Sequence, residues 1–174
     1  DYFVVSSPIA GQSSGFFRLK SVSPEDDISA VFDPQTGLLT ITGHDQDNVI
    51  IVSRDNAGNL QINGGAVSIT GGVPTLANTT LIQIFGHAGH DQISLNESNG
   101  ALPQAYLFGE AGNDTLTGGS GADVLNGGPG LDTLLGRGGA DSLLGGDDSD
   151  VVIGGAGNGV AQLGMGDDRF IWDP

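Results

Sequence analysis

The chain has 174 residues, of which 31 are glycine and none is cysteine, and its 21 acidic against 5 basic residues give a formal net charge of -16. The lack of cysteine excludes disulfides, thiolate metal sites and cysteine nucleophiles, and an acidic surface of this size disfavours nucleic acid and anionic membranes as partners. No apolar run approaches the roughly 18 residues of a membrane-spanning helix, so we expect no membrane insertion and take cations as the natural counter-ions.

Residues 1–85 are predicted to form an N-terminal region of β-strands. Three stretches alternate apolar and polar residues between turns rich in Gly, Asn and Pro: DPQTGLLTITG, NVIIVSRDNAGNLQINGG and AVSITGGVPTLANTTLIQIFG. The segment DNAGN is expected to be a hairpin tip, and no helix of three turns is indicated anywhere in the chain. We expect these strands to cap the N-terminal end of the structure that the rest of the chain forms.

A period of nine residues dominates the second half of the chain. From Gly109 the frames read GEAGNDTLT, GGSGADVLN, GGPGLDTLL, GRGGADSLL, GGDDSDVVI, GGAGNGVAQ and LGMGDDRFI. The sixth position is Asp114, Asp123, Asp132, Asp141, Asp150, Gly159 and Asp168 in turn. The eighth position is apolar in every frame, from Leu116 to Phe170. Because one frame can bury little apolar surface alone, the frames are expected to stack.

The period also predicts the geometry of the stack. A strand at positions seven to nine turns its central side chain inward, and two frames of 18 residues complete one turn, with successive turns about 4.8 Å apart. The frame GHAGHDQIS from Gly86 fits with Asp91 at position six, whereas GHDQDNVII from Gly43 is weak because Asn48 stands there. The next frame starts 23 residues after Gly86, which predicts a longer return loop through NESNGALPQ and then a strand with Leu107 inward.

Aspartate in a glycine-rich loop suits a hard cation. Carbonyl and carboxylate oxygens at about 2.3–2.6 Å satisfy a cation that takes six to eight oxygen ligands, and Mg2+ fits such a flexible cage poorly, so calcium is favoured. A hydrogen-bonded turn is the alternative role for one aspartate, but six in register favour the metal. Without cations the stacked carboxylates would repel one another, so residues 86–174 are expected to be disordered until calcium binds.

The frames match GGxGxDxUx and resemble the repeat-in-toxin (RTX, hemolysin-type) calcium-binding nonapeptide, most strongly over residues 109–171. The resemblance implies an all-β fold, a right-handed parallel β-roll of two sheets at residues 86–174 that residues 1–85 cap. It also implies that each ion lies between loops 18 residues apart. The ion would take both position-six aspartates, the carbonyls of positions two and four of the earlier loop, and those of positions one and three of the later loop.

Carried onto this sequence, the resemblance gives a set of candidate calcium ligands, several of which would act through backbone carbonyls only. They are Asp91, Gly109, Glu110, Gly112, Asp114, Gly119, Gly121, Asp123, Gly127, Gly128, Pro129, Gly130, Asp132, Gly136, Gly138, Asp141, Gly145, Asp147, Asp150 and Asp168. One site would combine two adjacent loops: Glu110, Gly112, Asp114, Gly127, Pro129 and Asp132. Four aspartate pairs between Asp91 and Asp168 on one edge, and the pair Asp123 and Asp141 on the other, predict about five ions.

The function indicated is a secreted calcium-binding structural or interaction module, a segment of a larger extracellular or surface protein, which folds on binding Ca2+ outside the cell. The resemblance adds a bacterial origin and type I secretion. The alternative is the noncatalytic C-terminal roll of a secreted hydrolase, such as a protease or lipase, or of an epimerase. An outward apolar face at Leu135, Val151, Ile153 and Ile171 is expected to be covered by the Phe-rich N-terminal segment, by another copy or by another extracellular protein.

No catalytic constellation is evident in the sequence. The segment GQSSG matches GxSxG without the surrounding strand–helix elbow, so a flexible link is favoured. His44, His87 and His90 fall in loops and form no HExxH motif. Adjacent acids such as Asp147 and Asp148 lack the apolar pocket that would raise the pKa of one of them for glycoside hydrolysis. The chain is therefore predicted not to be an enzyme.

Overall fold

Strands make up most of the regular structure. The computed structural model describes residues 2–4, 20–22 and 28–172. The strands are β1 (Tyr2–Val4), β2 (Lys20–Val22), β3 (Ser29–Asp33), β4 (Leu38–Thr42), β5 (Val49–Arg54), β6 (Leu60–Ile62), β7 (Ile69–Thr70), β8 (Leu81–Ala88), β9 (Gln92–Leu95), β10 (Ala105–Ala111), β11 (Thr115–Thr117), β12 (Val124–Pro129), β13 (Thr133–Leu135), β14 (Ser142–Asp147), β15 (Val151–Ile153), β16 (Val160–Met165) and β17 (Arg169–Ile171). Within the described ranges the helical structure is one short 3-10 turn at Asn63–Gly65, and no helix there is long and apolar enough to cross a membrane.

Most strands belong to two parallel-rich sheets. The first sheet has the order β16-β14-β12-β10-β8-β4-β3-β7, and the second has the order β17-β15-β13-β11-β9-β5-β6. From β8 onward, consecutive strands of the chain fall in alternate sheets, and each pairs in parallel with the strand one turn earlier. This arrangement confirms the all-β prediction of a parallel β-roll.

The register of the sheets follows the nonapeptide period. In the first sheet Leu107 pairs with Leu125 and Leu125 with Leu143, and in the second sheet Leu116 pairs with Leu134. Each of these pairs is 18 residues apart, as predicted for two frames per turn. The hydrogen bonds from the backbone N–H of one position-six residue to the carboxylate of the next show the same spacing. Between β8 and β10 the spacing is 23 residues, and the extra residues lie in the connection 96–104, again as predicted.

The roll begins one turn before residue 86. β4 pairs in parallel with β8, and β5 with β9, across a spacing of 43 residues. The intervening residues 55–80 begin with the predicted hairpin, in which β6 runs antiparallel to β5. β3 and β7 continue the first sheet beyond β4. Both sheets therefore continue across residues 85 and 86, and the division of the chain at that point stays a prediction.

Position eight supplies the core. Leu107, Leu116 and Leu134 are completely buried, which confirms the inward direction expected for this position. The last turn is different, because Ala161 and Phe170 occupy position eight in β16 and β17 but are exposed, Phe170 by 42%. β16 and β17 are the outermost strands of their sheets in the described residues, so no further turn covers these side chains. Their register with the buried Leu143 and Val152 keeps the inward direction predicted for position eight, and only their burial is missing.

The turn regions between the sheets define two edges of the roll. The aspartate edge consists of the regions that lead from the first sheet to the second: residues 43–48, 86–91, 109–114, 127–132, 145–150 and 163–168. The opposite edge consists of the return connections: residues 55–80, 96–104, 118–123, 136–141 and 154–159. The side chains at position six of each frame lie at these edges, where strands give way to loops.

Candidate metal centre

A ladder of aspartates runs along the aspartate edge. Asp91, Asp114, Asp132 and Asp150 are each only 1% exposed although they are acidic. The backbone N–H of each donates to Oδ1 of the aspartate in the next turn, and the last acceptor is Asp168. The N···O distances are 2.8, 2.7, 2.8 and 2.9 Å in chain order. One oxygen of each carboxylate is thus held by the backbone of the preceding turn.

The second oxygen of these carboxylates has no partner. Within the described part of the chain, Oδ2 of Asp91, Asp114, Asp132 and Asp150 is buried and makes no hydrogen bond. A buried polar atom left unpaired costs about 1–3 kcal/mol, and more when the group is charged. Four such atoms lie in register along one edge, and a positively charged ligand beside each of them would satisfy it.

Glycine at position one leaves room next to the unpaired oxygens. A methyl group added at Gly109 would overlap Oδ2 of Asp114, and one added at Gly127 would overlap Oδ2 of Asp132. The methyl group at Gly109 would also lie 2.8 Å from the carbonyl oxygen of Gly127, one turn later. A carboxylate oxygen and a carbonyl oxygen of the next turn therefore lie close together with no side chain between them.

Positions two and four of the aspartate edge adopt positive φ. The values are 72° at Glu110 and 139° at Gly112, and 113° at Gly128 and 138° at Gly130 in the next turn. Glycine adopts this conformation without strain, which explains why the repeat favours it at both positions. A methyl group at Gly128 would overlap the carbonyl oxygen of Glu110, and one at Gly130 would overlap that of Gly112. The carbonyl oxygens of positions two and four thus lie against the backbone of the next turn.

The carbonyls of position three already accept hydrogen bonds. The Pro129 carbonyl accepts the N–H of Gly112 over 3.0 Å, and the Asp147 carbonyl accepts the N–H of Gly130 over 3.2 Å. A carbonyl oxygen has two lone pairs, so each retains one for a cation. The possible metal ligands on this edge are therefore carboxylate oxygens and backbone carbonyl oxygens.

Burial raises the pKa of the ladder aspartates. The pKa of Asp132 rises to about 7, chiefly because burial penalises its charged form, while the N–H of Asp114 opposes the shift and the charges of Asp114 and Asp150 add to it. Burial is also the first cause that raises the pKa of Asp141, to about 6. It likewise raises the pKa of the other buried aspartates of both edges: Asp91, Asp114, Asp123 and Asp150. A cation beside these carboxylates would stabilise their charged forms.

The opposite edge holds one aspartate pair. The backbone N–H of Asp123 donates to Oδ1 of Asp141 over 2.9 Å. In earlier turns the positions in register with Asp123 are apolar and buried: Leu39, Ile82 and Ala105. In the turn after Asp141, position six is Gly159, which has no side chain to offer. The two edges therefore differ in how many carboxylates face one another.

Asp123 is also better satisfied than the aspartates of the other edge. Its Oδ1 accepts the N–H of Ala105 over 2.8 Å, and its Oδ2 accepts the N–H of Gly119 over 2.7 Å. Gly119 and Gly121 do not have the positive φ that positions two and four show on the aspartate edge. Each oxygen of Asp123 already has one donor, so a cation at this pair would relieve less unmet charge than a cation on the aspartate edge.

The structure places the candidate ligand residues on both edges. The aspartate edge carries Asp91, Gly109, Glu110, Gly112, Asp114, Gly127, Gly128, Pro129, Gly130, Asp132, Gly145, Asp147, Asp150 and Asp168. The opposite edge carries Gly119, Gly121, Asp123, Gly136, Gly138 and Asp141. No group of three His, Cys, Asp or Glu side chains suited to a metal occurs in the described residues. A cation here would depend on backbone carbonyls as much as on carboxylates.

Two features of the aspartate edge were not predicted. Asn48 belongs to it and is 3% exposed, although its frame is weak in sequence. A second ladder runs at position five. Oδ1 of Asp47 accepts the N–H of His90, and Nδ1 of His90 accepts the N–H of Asn113. Oδ1 of Asn113 in turn accepts the N–H of Leu131. Polar residues at position five of three successive frames are the signal that would have indicated this ladder. His90 is exposed, as expected, but it also has this structural role.

Comparison with known families agrees with the geometry. Two overlapping segments, residues 106–134 and 126–161, match the RTX calcium-binding nonapeptide repeat. This family is a noncatalytic structural calcium-binding repeat that is typical of secreted bacterial proteins. No curated protein and no solved structure matches the chain.

Proposed function

We propose that this chain, which carries RTX calcium-binding nonapeptide repeats over residues 106–161, is a secreted structural or interaction module of a larger extracellular or surface protein. The module is noncatalytic and folds on binding calcium outside the cell. Low calcium inside a bacterial cell would keep the chain loose, which is compatible with type I secretion, and higher calcium outside would then fold it.

The four unpaired Oδ2 atoms on the aspartate edge are the observation that supports this proposal most. An aspartate that only stabilises a turn can satisfy its oxygens within its own loop. Asp55 does so, because its Oδ1 accepts the N–H groups of Ala57 and Asn59 and its Oδ2 accepts Nδ2 of Asn59. The aspartates of the ladder instead direct Oδ1 to the neighbouring turn and leave Oδ2 without a donor. A cation accounts for that difference.

Calcium fits the donors better than other common ions. The available ligands are carboxylate and carbonyl oxygens from two separate loops, without the nitrogen or sulfur donors that transition metals prefer. Calcium accepts six to eight oxygens in flexible geometry, whereas magnesium demands a near-ideal octahedron and retains water. The glycine-rich turn regions supply many oxygens with little rigidity.

We assign the ions to aspartate pairs in adjacent turns. For the regions 109–114 and 127–132, the proposed ligands are the side chains of Asp114 and Asp132 with the carbonyls of Glu110, Gly112, Gly127 and Pro129. The same arrangement at each pair from Asp91 to Asp168 gives four sites on the aspartate edge. One further site between Asp123 and Asp141 brings the total to about five ions.

An apolar strip on the second sheet extends the proposal to a contact face. The strands β13, β15 and β17 place Leu135, Ile153 and Ile171 in register, and Val151 also lies on β15. All four side chains are partly exposed. A contiguous apolar area on a surface usually marks a contact, here with another copy or another extracellular protein. Most of the Phe-rich N-terminal segment, named above as an alternative cover, lies outside the described residues.

Circular dichroism under chelation tests the proposal. Excess EGTA at pH 8 should abolish most of the β signal of the repeat turns, since the stacked carboxylates would then repel one another without compensation. Millimolar calcium should restore the signal cooperatively, and magnesium at the same concentration should not. Asp132→Asn should raise the calcium concentration at the midpoint by roughly tenfold or more, because two sites lose a charged ligand.

Asp55→Asn is the matched control. Both oxygens of Asp55 accept hydrogen bonds from its own loop, and no second carboxylate pairs with it there. Its calcium midpoint should equal that of the wild type. A spectrum that does not change in excess EGTA, or one that magnesium restores as well as calcium does, would contradict the proposed function.

A further inference from the structure

We infer that the side-chain amide of Asn48 takes the place of calcium at the first turn of the aspartate edge. As a consequence, the N-terminal turns of the roll, residues 28–95, fold without calcium and present the strands on which the calcium-dependent turns assemble. This inference rests on the proposed calcium sites, because it concerns where along the roll they begin.

Asn48 is the structural equivalent of the ladder aspartates. Its backbone N–H donates to Oδ1 of Asp91 over 2.7 Å, as each aspartate N–H does one turn later. A methyl group added at Gly43 would lie 3.0 Å from Nδ2 of Asn48, and one added at Gly86 would meet Oδ2 of Asp91 in the same way. Nδ2 of Asn48 therefore occupies the place that the unpaired oxygen occupies in the aspartates.

Four oxygens surround the Asn48 amide nitrogen. Nδ2 lies 2.9 Å from the carbonyl oxygen of His44, 2.5 Å from that of Gln46, 3.3 Å from that of Gly86 and 2.8 Å from Oδ1 of Asp91. By position these are carbonyls two and four of the earlier loop, carbonyl one of the later loop, and the later carboxylate. They correspond to four of the six oxygens that we propose around each calcium ion.

The hydrogen-bond partners also fix the orientation of this amide. With the side chain turned over, Oδ1 of Asn48 would face four acceptors and no donor, so Nδ2 must point into the oxygen cluster. In the present orientation Oδ1 accepts the N–H of His44 over 3.2 Å. The amide thus supplies positive hydrogens where the other turns require an ion, and it adds no negative charge of its own.

The opposite edge of the same turns also lacks facing carboxylates. Position six there is Leu39 and Ile82, both completely buried, and the connection 55–80 replaces the short glycine-rich loop. Fourteen of the twenty-two buried apolar core residues in the described chain lie between Ile28 and Leu95. The N-terminal turns thus combine the larger part of the core with a single ladder carboxylate, Asp91, whereas the later turns have a smaller core and the remaining ladder carboxylates.

Hydrogen exchange with mass spectrometry on the full chain tests this inference. In excess EGTA, the amides of β4, β5, β8 and β9 of the wild type should remain protected, while those of β11 to β17 exchange as in an unfolded chain. Asn48→Asp removes the amide donor and adds a carboxylate opposite Asp91, so protection of β4 and β5 in EGTA should fall by at least about tenfold. In calcium, native mass spectrometry should detect about one additional ion per chain.

Asn48→Ala is the matched control, because it removes the amide donor without supplying a ligand. It should lose protection in EGTA but gain no ion. The inference is overturned if β4, β5, β8 and β9 of the wild type are unprotected in EGTA while calcium still folds the chain, or if Asn48→Asp binds no more calcium than the wild type. A wild type that binds no calcium at all would overturn the proposed function, and this inference with it.

Discussion

Two aspartates in this chain show how hydrogen-bond donors decide the state of a carboxylate. The N–H groups and amide of its own turn surround Asp55, and the side-chain amide of Asn59 is the first cause that holds the pKa of Asp55 below its ordinary value. Asp132 accepts one N–H from the preceding turn and is otherwise buried, and burial raises its pKa to about 7. The same residue type is thus stabilised as an anion in one loop and needs a cation in the other.

The raised pKa values predict how calcium-free protein responds to pH. The folded turns bind protons more tightly than the unfolded chain, in which aspartate titrates near 3.8. Between that value and about 7, the folded state keeps protons that the unfolded chain has already lost, so its stability falls as pH rises. Calcium-stripped protein should therefore show more β signal by circular dichroism at pH 5 than at pH 8.

Asp132→Asn provides the control for this pH dependence, because it removes one of the titrating carboxyls. The difference in β signal between pH 5 and pH 8 should be smaller in this variant than in the wild type. A calcium-free wild type with more β structure at pH 8 would show that the buried carboxylates do not govern its stability.

At the scale of the repeat element, one frame consists of a short strand and a loop. Certain positions of that loop accept only glycine. Gly130, at position four, has φ 138°, and an added methyl group would overlap the carbonyl oxygen of Gly112 in the preceding turn. Gly138, at position three, has no such constraint, since its nearest neighbour to an added methyl group is 3.7 Å away. The backbone φ and the space beside each glycine therefore decide whether that glycine is essential.

Gly130→Ala should lower the melting temperature of the calcium-loaded protein, because the left-handed backbone strain alone costs about 1–3 kcal/mol and the overlap would force two turns apart. Gly138→Ala should stay within about 0.5 kcal/mol of the wild type, since its backbone carbonyl remains in place. Differential scanning calorimetry in millimolar calcium compares the two. Equal losses of stability in both variants would show that the left-handed backbone and the overlap at Gly130 are not what matters.

The nonapeptide period allowed the C-terminal turns to be predicted from sequence, because position eight repeats an apolar side chain and position six an aspartate. Leu107 and Leu116 are buried as the period requires. The first turn was not predicted, since 43 residues separate Ile41 from its partner Ile84 and the inserted strands interrupt the period. The role of Asn48 depends on four oxygens from two loops, and no pattern in one frame indicates such a convergence.

For the whole molecule, the formal net charge of -16 is the quantity that calcium would change most. About five divalent ions would offset about ten of these charges, and they would do so at the buried carboxylates, where repulsion is screened least. The N-terminal and C-terminal turns of the roll also differ in composition. The N-terminal turns have the larger core, and the turns after residue 105 have all of the buried aspartates except Asp91.

An anomalous difference map from crystals grown in millimolar calcium tests the central claim most directly. The account predicts about five peaks: four in a line on the aspartate edge between residues 86 and 168, and one weaker peak between Asp123 and Asp141. No peak should lie between the regions 43–48 and 86–91, where the Asn48 amide fills the oxygen cluster. Peaks in equal numbers on both edges, or none beside the buried aspartates, would contradict it.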